Sequence, residues 1–167
     1  GVDSGFLDEY GNNGTVLSPN PNSIFGDVKR VRGEIGASAM PKLDLHFTEW
    51  SSSYTPSDPF HDSYHSAAYI LDKLRKCGDA AQSMSYWTFT DIFEESAPRW
   101  TPFHGGFGLI NYQDIPKASF FAYQFLKRLG ATELESTDAQ SWICTSSDGG
   151  VQALVGNFTY THPGKKI

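Results

Sequence analysis

Two short apolar runs end in groups able to do chemistry. Leu43-Asp44-Leu45-His46-Phe47-Thr48 leads into Glu49 and Trp50, and Ser85-Tyr86 leads into Trp87-Thr88-Phe89-Thr90. An indole face stacks on the C–H side of a sugar ring and buries a large area there. A carboxylate beside such an aromatic wall points to sugar chemistry. A glutamate directly after an apolar strand is costly to bury unless it is paired or hydrogen-bonded. The structural alternative for Glu49 is therefore an ion pair with an arginine of a neighbouring strand, and for Trp87 a place in the core. Glu94 and Glu95 follow Trp87 closely and are placed to accept hydrogen bonds from sugar hydroxyls, or simply to be solvated.

Other candidates are weaker. His46 is internal to its strand and reads as a satisfied core histidine. His61 and His65 stand four apart, a metal-ligand spacing, but no cysteine or carboxylate completes a zinc site and Asp62 and Tyr64 read as surface company. His104-Gly105-Gly106-Phe107-Gly108 is not a phosphate loop, because no strand leads into it and no lysine follows. Ser51, Ser52 and Ser53 read as loop polar groups.

The elements that must position Glu49 and Trp87 follow from periodicity. Residues 1–22, rich in Gly, Asn, Ser and Pro, read as a loop. Asn22-Ser23 caps a helix whose stripe is Ile24, Val28, Val31 and Ile35, ending at Gly36. Leu43 to Thr48 is a strand. Asp58-Pro59 opens a second helix, buried through Ala67, Ile70, Leu71 and Leu74, with Gly78 beyond its end. Met84 to Phe89 is the next strand, and a long aromatic loop spans 91–113. Pro116 opens a third helix with Phe121, Ala122, Phe125 and Leu129 on one side. Beyond residue 130 the pattern changes to short strands at 132–135, 141–146 and 151–160, with Ser147-Asp148-Gly149-Gly150 as a hairpin signal. The strand–helix–strand unit places its chemistry at the carboxyl ends of parallel strands, where the active sites of β/α barrels lie. Two parallel strands cannot cover themselves on both faces. Residues 1–130 therefore read as the closing portion of a larger (β/α)8 barrel, and 131–167 as strands of an accessory antiparallel domain.

The bulk composition narrows the partners. The 167 residues carry a net charge of −6 and no large Lys/Arg cluster, which argues against nucleic acid. No apolar run approaches the roughly 18 residues of a membrane span. Cys77 and Cys144, far apart in sequence, leave a disulfide open, but two free buried thiols are the better reading. Asn13-Gly14-Thr15 and Asn157-Phe158-Thr159 match the N-glycosylation pattern, but matches this short arise often by chance. The residues leave the compartment open, with secreted or periplasmic ahead of cytoplasmic.

His46 to Tyr54, Ser85 to Glu95 and Phe103 to Leu109, in that order and spacing, resemble segments of the β-xylosidases of glycoside hydrolase family 39. The resemblance implies an α/β fold, the end of unit 6 through unit 8 of a (β/α)8 barrel, followed by the beginning of an antiparallel β-sandwich. It implies hydrolysis of β-xylosides or xylo-oligosaccharides with retention, with Glu49 as the nucleophile at the end of the seventh strand. Trp87 matches the sugar-packing tryptophan of the eighth strand, Glu95 an acid bonding sugar hydroxyls, and Tyr54 an aromatic near the nucleophile. Two carboxylates suffice for such a reaction, so no metal or organic cofactor is implied. The family's acid/base glutamate follows an asparagine at the end of the fourth strand, and this sequence contains no Asn-Glu pair. The expectation is that the chain needs the preceding part of the barrel and is inactive alone. A relative such as an α-L-iduronidase, or a non-catalytic sugar-binding remnant, is the alternative.

Overall fold

The computed structural model describes residues 20–54, 56–92 and 99–159, together with the backbone of 3–7 and 13–17. The first elements are a hairpin, β1 (Asp3–Leu7) antiparallel to β2 (Asn13–Leu17). This corrects the reading of residues 1–22 as loop. The Gly-, Asn- and Ser-rich composition of the segment carries no strand period, whereas the ladder pairs main chain with main chain.

α1 (Ser23–Gly36) buries Ile24 and Val28 and half-buries Val31 and Ile35, the stripe expected. β3 (His46–Trp50) lies three residues later at its start than the apolar run suggests, because Leu43 and Leu45 serve as an approach segment. Arg32 on α1 fastens that approach. Its guanidinium donates to the carbonyls of Ala80 and Leu43, both at 2.8 Å, and to Gln82 Oε1 at 2.6 Å. Gln82 Oε1 also accepts from Leu45 N at 2.7 Å, so one helix residue aligns the leads into both parallel strands.

Asp58 accepts from Phe60 N at 2.9 Å, but the turn it caps is a short 3-10 helix, Pro59–Asp62. Ser63 is extended, and α2 (Tyr64–Cys77) begins beyond it. Tyr69, Ile70 and Leu71 are its buried apolar face, and Gly78 follows with φ +48°. Fully buried Ile70 and Val28 each contribute roughly 1.5–3 kcal/mol of transfer free energy. β4 (Ser83–Tyr86) then pairs parallel with β3, as the strand–helix–strand reading requires.

α3 (Ala118–Arg128) buries Ser119 and Ala122 and packs Tyr123 and Leu126 on the core of α2. Phe121 and Phe125, expected inside, are 40% and 44% exposed. Apolar residues occur almost all round this helix, so periodicity could not choose a face. The 119/122/123/126 side is the one that meets α2. Three antiparallel strands close the described chain: β5 (Thr132–Glu133), β6 (Ser141–Thr145) and β7 (Val151–Val155). The hairpin between β6 and β7 turns at Gly149, with φ +85°, and Ser146 N donates to Gly150 O at 2.9 Å. This sheet rests on α2 through Trp142, Leu154 and the following Phe158. Cys77 and Cys144 are both free and buried, and desolvation raises the Cys77 thiol above its ordinary pKa.

Candidate active site

The β3–β4 ladder pairs Phe47 with Met84 and Trp50 with Tyr86, so three steps on β3 match two on β4. The extra residue is a β-bulge spanning Thr48 and Glu49. Bulges re-aim a side chain at the end of a strand and recur beside active sites. The bulge accompanies an alternation broken at Thr48 and Glu49, both exposed, before Trp50 turns inward. Trp50 is held edge-on to Tyr86 at 5.5 Å and tilted on Tyr69 at 6.2 Å, which anchors the residue next to Glu49. Among the described residues no ion pair involves Glu49, so the arginine-paired alternative has no partner there.

Trp87 N donates to Trp50 O at 2.8 Å, which carries the pairing of β4 one residue past its end. The Trp87–Thr88 peptide is cis. Thr88 N then donates to Phe107 O at 3.1 Å, and Leu109 N donates to Thr88 O at 3.0 Å. The glycine-rich segment thus lies alongside residues 88–91. Glu49, Trp50, Ser51, Ser53, Tyr54, Trp87 and Phe107 line one cleft of about 320 Å³. The cleft brings Glu49, Trp87 and Tyr54 together. Glu94 and Glu95 lie outside the described residues.

His46 is exposed, not a core residue, and its Nδ1 meets Ser83 Oγ at 2.8 Å. Its side of the ladder is uncovered by described residues. His61 and His65 diverge: His65 stacks on Tyr64 and Phe60, whereas His61 sits in the 3-10 turn and is 1% exposed. His61 Nδ1 meets Gly105 O at 2.7 Å and Nε2 meets Ser53 O at 3.0 Å.

Sequence reasoning missed the groups behind the cleft. Lys117 is wholly buried, with Nζ 2.6 Å from Asp62 Oδ1, 2.6 Å from Asp91 Oδ2 and 2.9 Å from Gly106 O. Asp62 is therefore no surface residue. Lys117 is the N-cap of α3, where the helix dipole disfavours a cation. That misplacement was the available signal that carboxylates from elsewhere must converge on it. The glycines of the loop owe their identity to close packing. Gly105 has φ +79°, and a Cβ there would lie 2.5 Å from the carbonyl carbon of Ser57 and 2.6 Å from that of Asp58. Gly105→Ala should lower unfolding stability by about 2 kcal/mol or more, from positive-φ strain and backbone overlap together. An unchanged denaturant midpoint would contradict this packing account.

The family model for glycosyl hydrolases family 39 matches residues 19–157. This chain belongs to that family. It is 42% identical over 137 residues to a β-xylosidase of Geobacillus stearothermophilus, covering 82% of this chain and 27% of that protein. The crystal structure of a family 39 enzyme from Xanthomonas axonopodis pv. citri superposes with a TM-score of 0.86 at 50% identity, over 97% of this chain and 32% of that one. A monomeric β-xylosidase from Caulobacter crescentus superposes with a TM-score of 0.83 at 49% identity, covering 99% of this chain and 33% of that one. The chain thus spans about a third or less of the family 39 relatives it matches, and these neighbours imply a TIM-barrel-type fold.

Proposed function

We propose that this chain supplies the nucleophile side of a retaining β-xylosidase, completed by the rest of a (β/α)8 barrel. The observation that carries the reading is Glu49, set in a bulge at the carboxyl end of β3 and sharing one cleft with Trp87. The β-xylosidase names of two relatives, from Geobacillus stearothermophilus and Caulobacter crescentus, support the choice of sugar. In this reading α1 closes unit 6, β3 and α2 form unit 7, and β4 and α3 form unit 8. The strands beyond residue 130 begin a β-sandwich.

A retaining glycosidase uses two carboxyl groups about 5–5.5 Å apart. The Glu49 carboxylate attacks the anomeric carbon, forming an ester bond to xylose as the glycosidic C–O bond breaks. The second carboxyl group, which the remainder of the barrel provides, delivers its proton to the departing oxygen. It then takes a proton from water, which attacks the same carbon and frees Glu49. Two inversions leave the configuration unchanged. Trp87 stacks on the sugar, Tyr54 flanks the nucleophile, and Glu95 accepts from sugar hydroxyls.

Hydrolysis of an aryl β-D-xyloside by the full-length barrel enzyme carrying this sequence, followed at once by proton NMR, tests the reaction class. β-Xylose should form first and only later mutarotate. α-Xylose as the first product would overturn the double displacement.

A further inference from the structure

The cleft walls are tied to one another by a buried charge cluster with no evident part in the bond-making steps. A buried ammonium costs several kcal/mol unless its geometry is well satisfied, and apolar replacements of buried ion pairs are often no less stable. Lys117 nonetheless sits at 0% exposure between Asp62, 14% exposed, and Asp91, 0% exposed. The two aspartates come from different segments, the 3-10 turn after β3 and the stretch after β4. Each gives one oxygen to Lys117 and the other to the glycine loop. Asp62 Oδ2 accepts from Gly105 N at 2.5 Å, and Asp91 Oδ1 accepts from Gly108 N at 2.7 Å. Those two glycines flank Phe107, a cleft residue.

A second cleft residue is joined through His61, next to Asp62. Its ring lies 4.8 Å from the ring of Phe107, with Nδ1 2.7 Å from Gly105 O and Nε2 3.0 Å from Ser53 O. Ser53 lines the cleft as well. A shift of Asp62 would carry His61 with it, and so move the Ser53 and Phe107 walls together. We propose that Lys117, with Asp62, Asp91 and His61, is a positioning device that fixes the width of the sugar cleft around Glu49. None of these four groups lines the cleft, so each acts through another residue. The inference rests on the xylosidase reading above. Misplacement of about 1 Å by a residue remote from the chemistry can cost up to about 100-fold in rate.

The test uses the full-length barrel enzyme carrying this sequence, assayed well below each variant's own melting temperature. One variant combines Lys117→Met, Asp62→Asn and Asp91→Asn, which removes the charges yet keeps an amide oxygen for Gly105 N and Gly108 N. The other is His61→Gln, which leaves Lys117, Asp62 and Asp91 intact and removes the ring packed on Phe107 between Gly105 O and Ser53 O. Both should raise KM for an aryl β-xyloside about tenfold or more and lower kcat. A cluster that only stabilises the fold would lower Tm and leave KM and kcat at wild-type values, and that result overturns the proposal. If the triple variant does not fold, His61→Gln alone decides on the same criterion. A wild type that fails to turn over counts against the xylosidase reading itself. Titration calorimetry with xylose then makes the same comparison, with about tenfold weaker binding expected in the variants. Equal affinities, or no binding by the wild type, overturn the positioning role.

Discussion

Glu49→Gln should cut turnover of an aryl β-xyloside by roughly four orders of magnitude in the full-length barrel enzyme, about 5–6 kcal/mol of barrier. The amide matches the carboxylate in size and still fits the bulge of β3, so neither the cleft nor the bound sugar is disturbed. On the proposed mechanism, what disappears is the anionic oxygen that would form the bond to the anomeric carbon. The loss should therefore fall on kcat with little change in KM, the signature of an interaction made only in the transition state. Glu49→Ala adds a second signature. It opens space beneath the anomeric carbon, and azide entering from that side should restore part of the rate and yield the α-xylosyl azide. A Glu49 that merely holds β3 in place would instead lower Tm, keep most of the rate and give no azide product.

Trp87→Ala should weaken xylose binding roughly 30-fold, the equivalent of about 2 kcal/mol of lost stacking and apolar burial. The half-buried indole is on the rim of the cleft, with its backbone fixed to Trp50 O at 2.8 Å. The strand end should survive the substitution while the sugar loses its platform. Trp87→Phe should recover part of the affinity, because a smaller π-face remains. Titration of the catalytically silent Glu49→Gln background measures this without turnover. Unchanged affinity with a lowered Tm would return Trp87 to a purely structural role.

The features legible in the sequence were those written in local periodicity. The stripe of Ile24, Val28, Val31 and Ile35 has α1 as its outcome, and Ile70 and Leu71 mark the buried face of α2. The parallel pairing of β3 and β4 follows from the helix between them. Ser147-Asp148-Gly149-Gly150 marks the β6–β7 turn because Gly149 meets its left-handed φ without cost. Glu49 and Trp87 stood out because each ends an apolar run. Their shared cleft then follows from parallel pairing.

What was hidden depends on distant partners or on an uninformative pattern. The hairpin of β1 and β2 is a main-chain ladder in a segment whose Gly- and Asn-rich composition shows no strand period. α3 has apolar residues on nearly every side, so Phe121 and Phe125 looked as buried as Ala122. Lys117, Asp62 and Asp91 are far apart in sequence and meet only in the fold. Taken singly, each resembles a solvated charge. The bulge at Thr48 and Glu49 is likewise invisible to the sequence, because it is a mismatch between two strands and belongs to neither alone.

The central claim is that Glu49 forms the covalent bond to xylose. A 2-fluoro-xylosyl donor with an activated leaving group slows both steps but the second more, so the glycosyl ester accumulates. Incubating the full-length barrel enzyme with it, then mapping peptides by mass, should place one 2-fluoro-xylosyl group on the peptide holding Glu49, with fragmentation locating it on that carboxylate. An adduct on a different carboxylate, or none on a folded enzyme that hydrolyses the xyloside, would contradict the account.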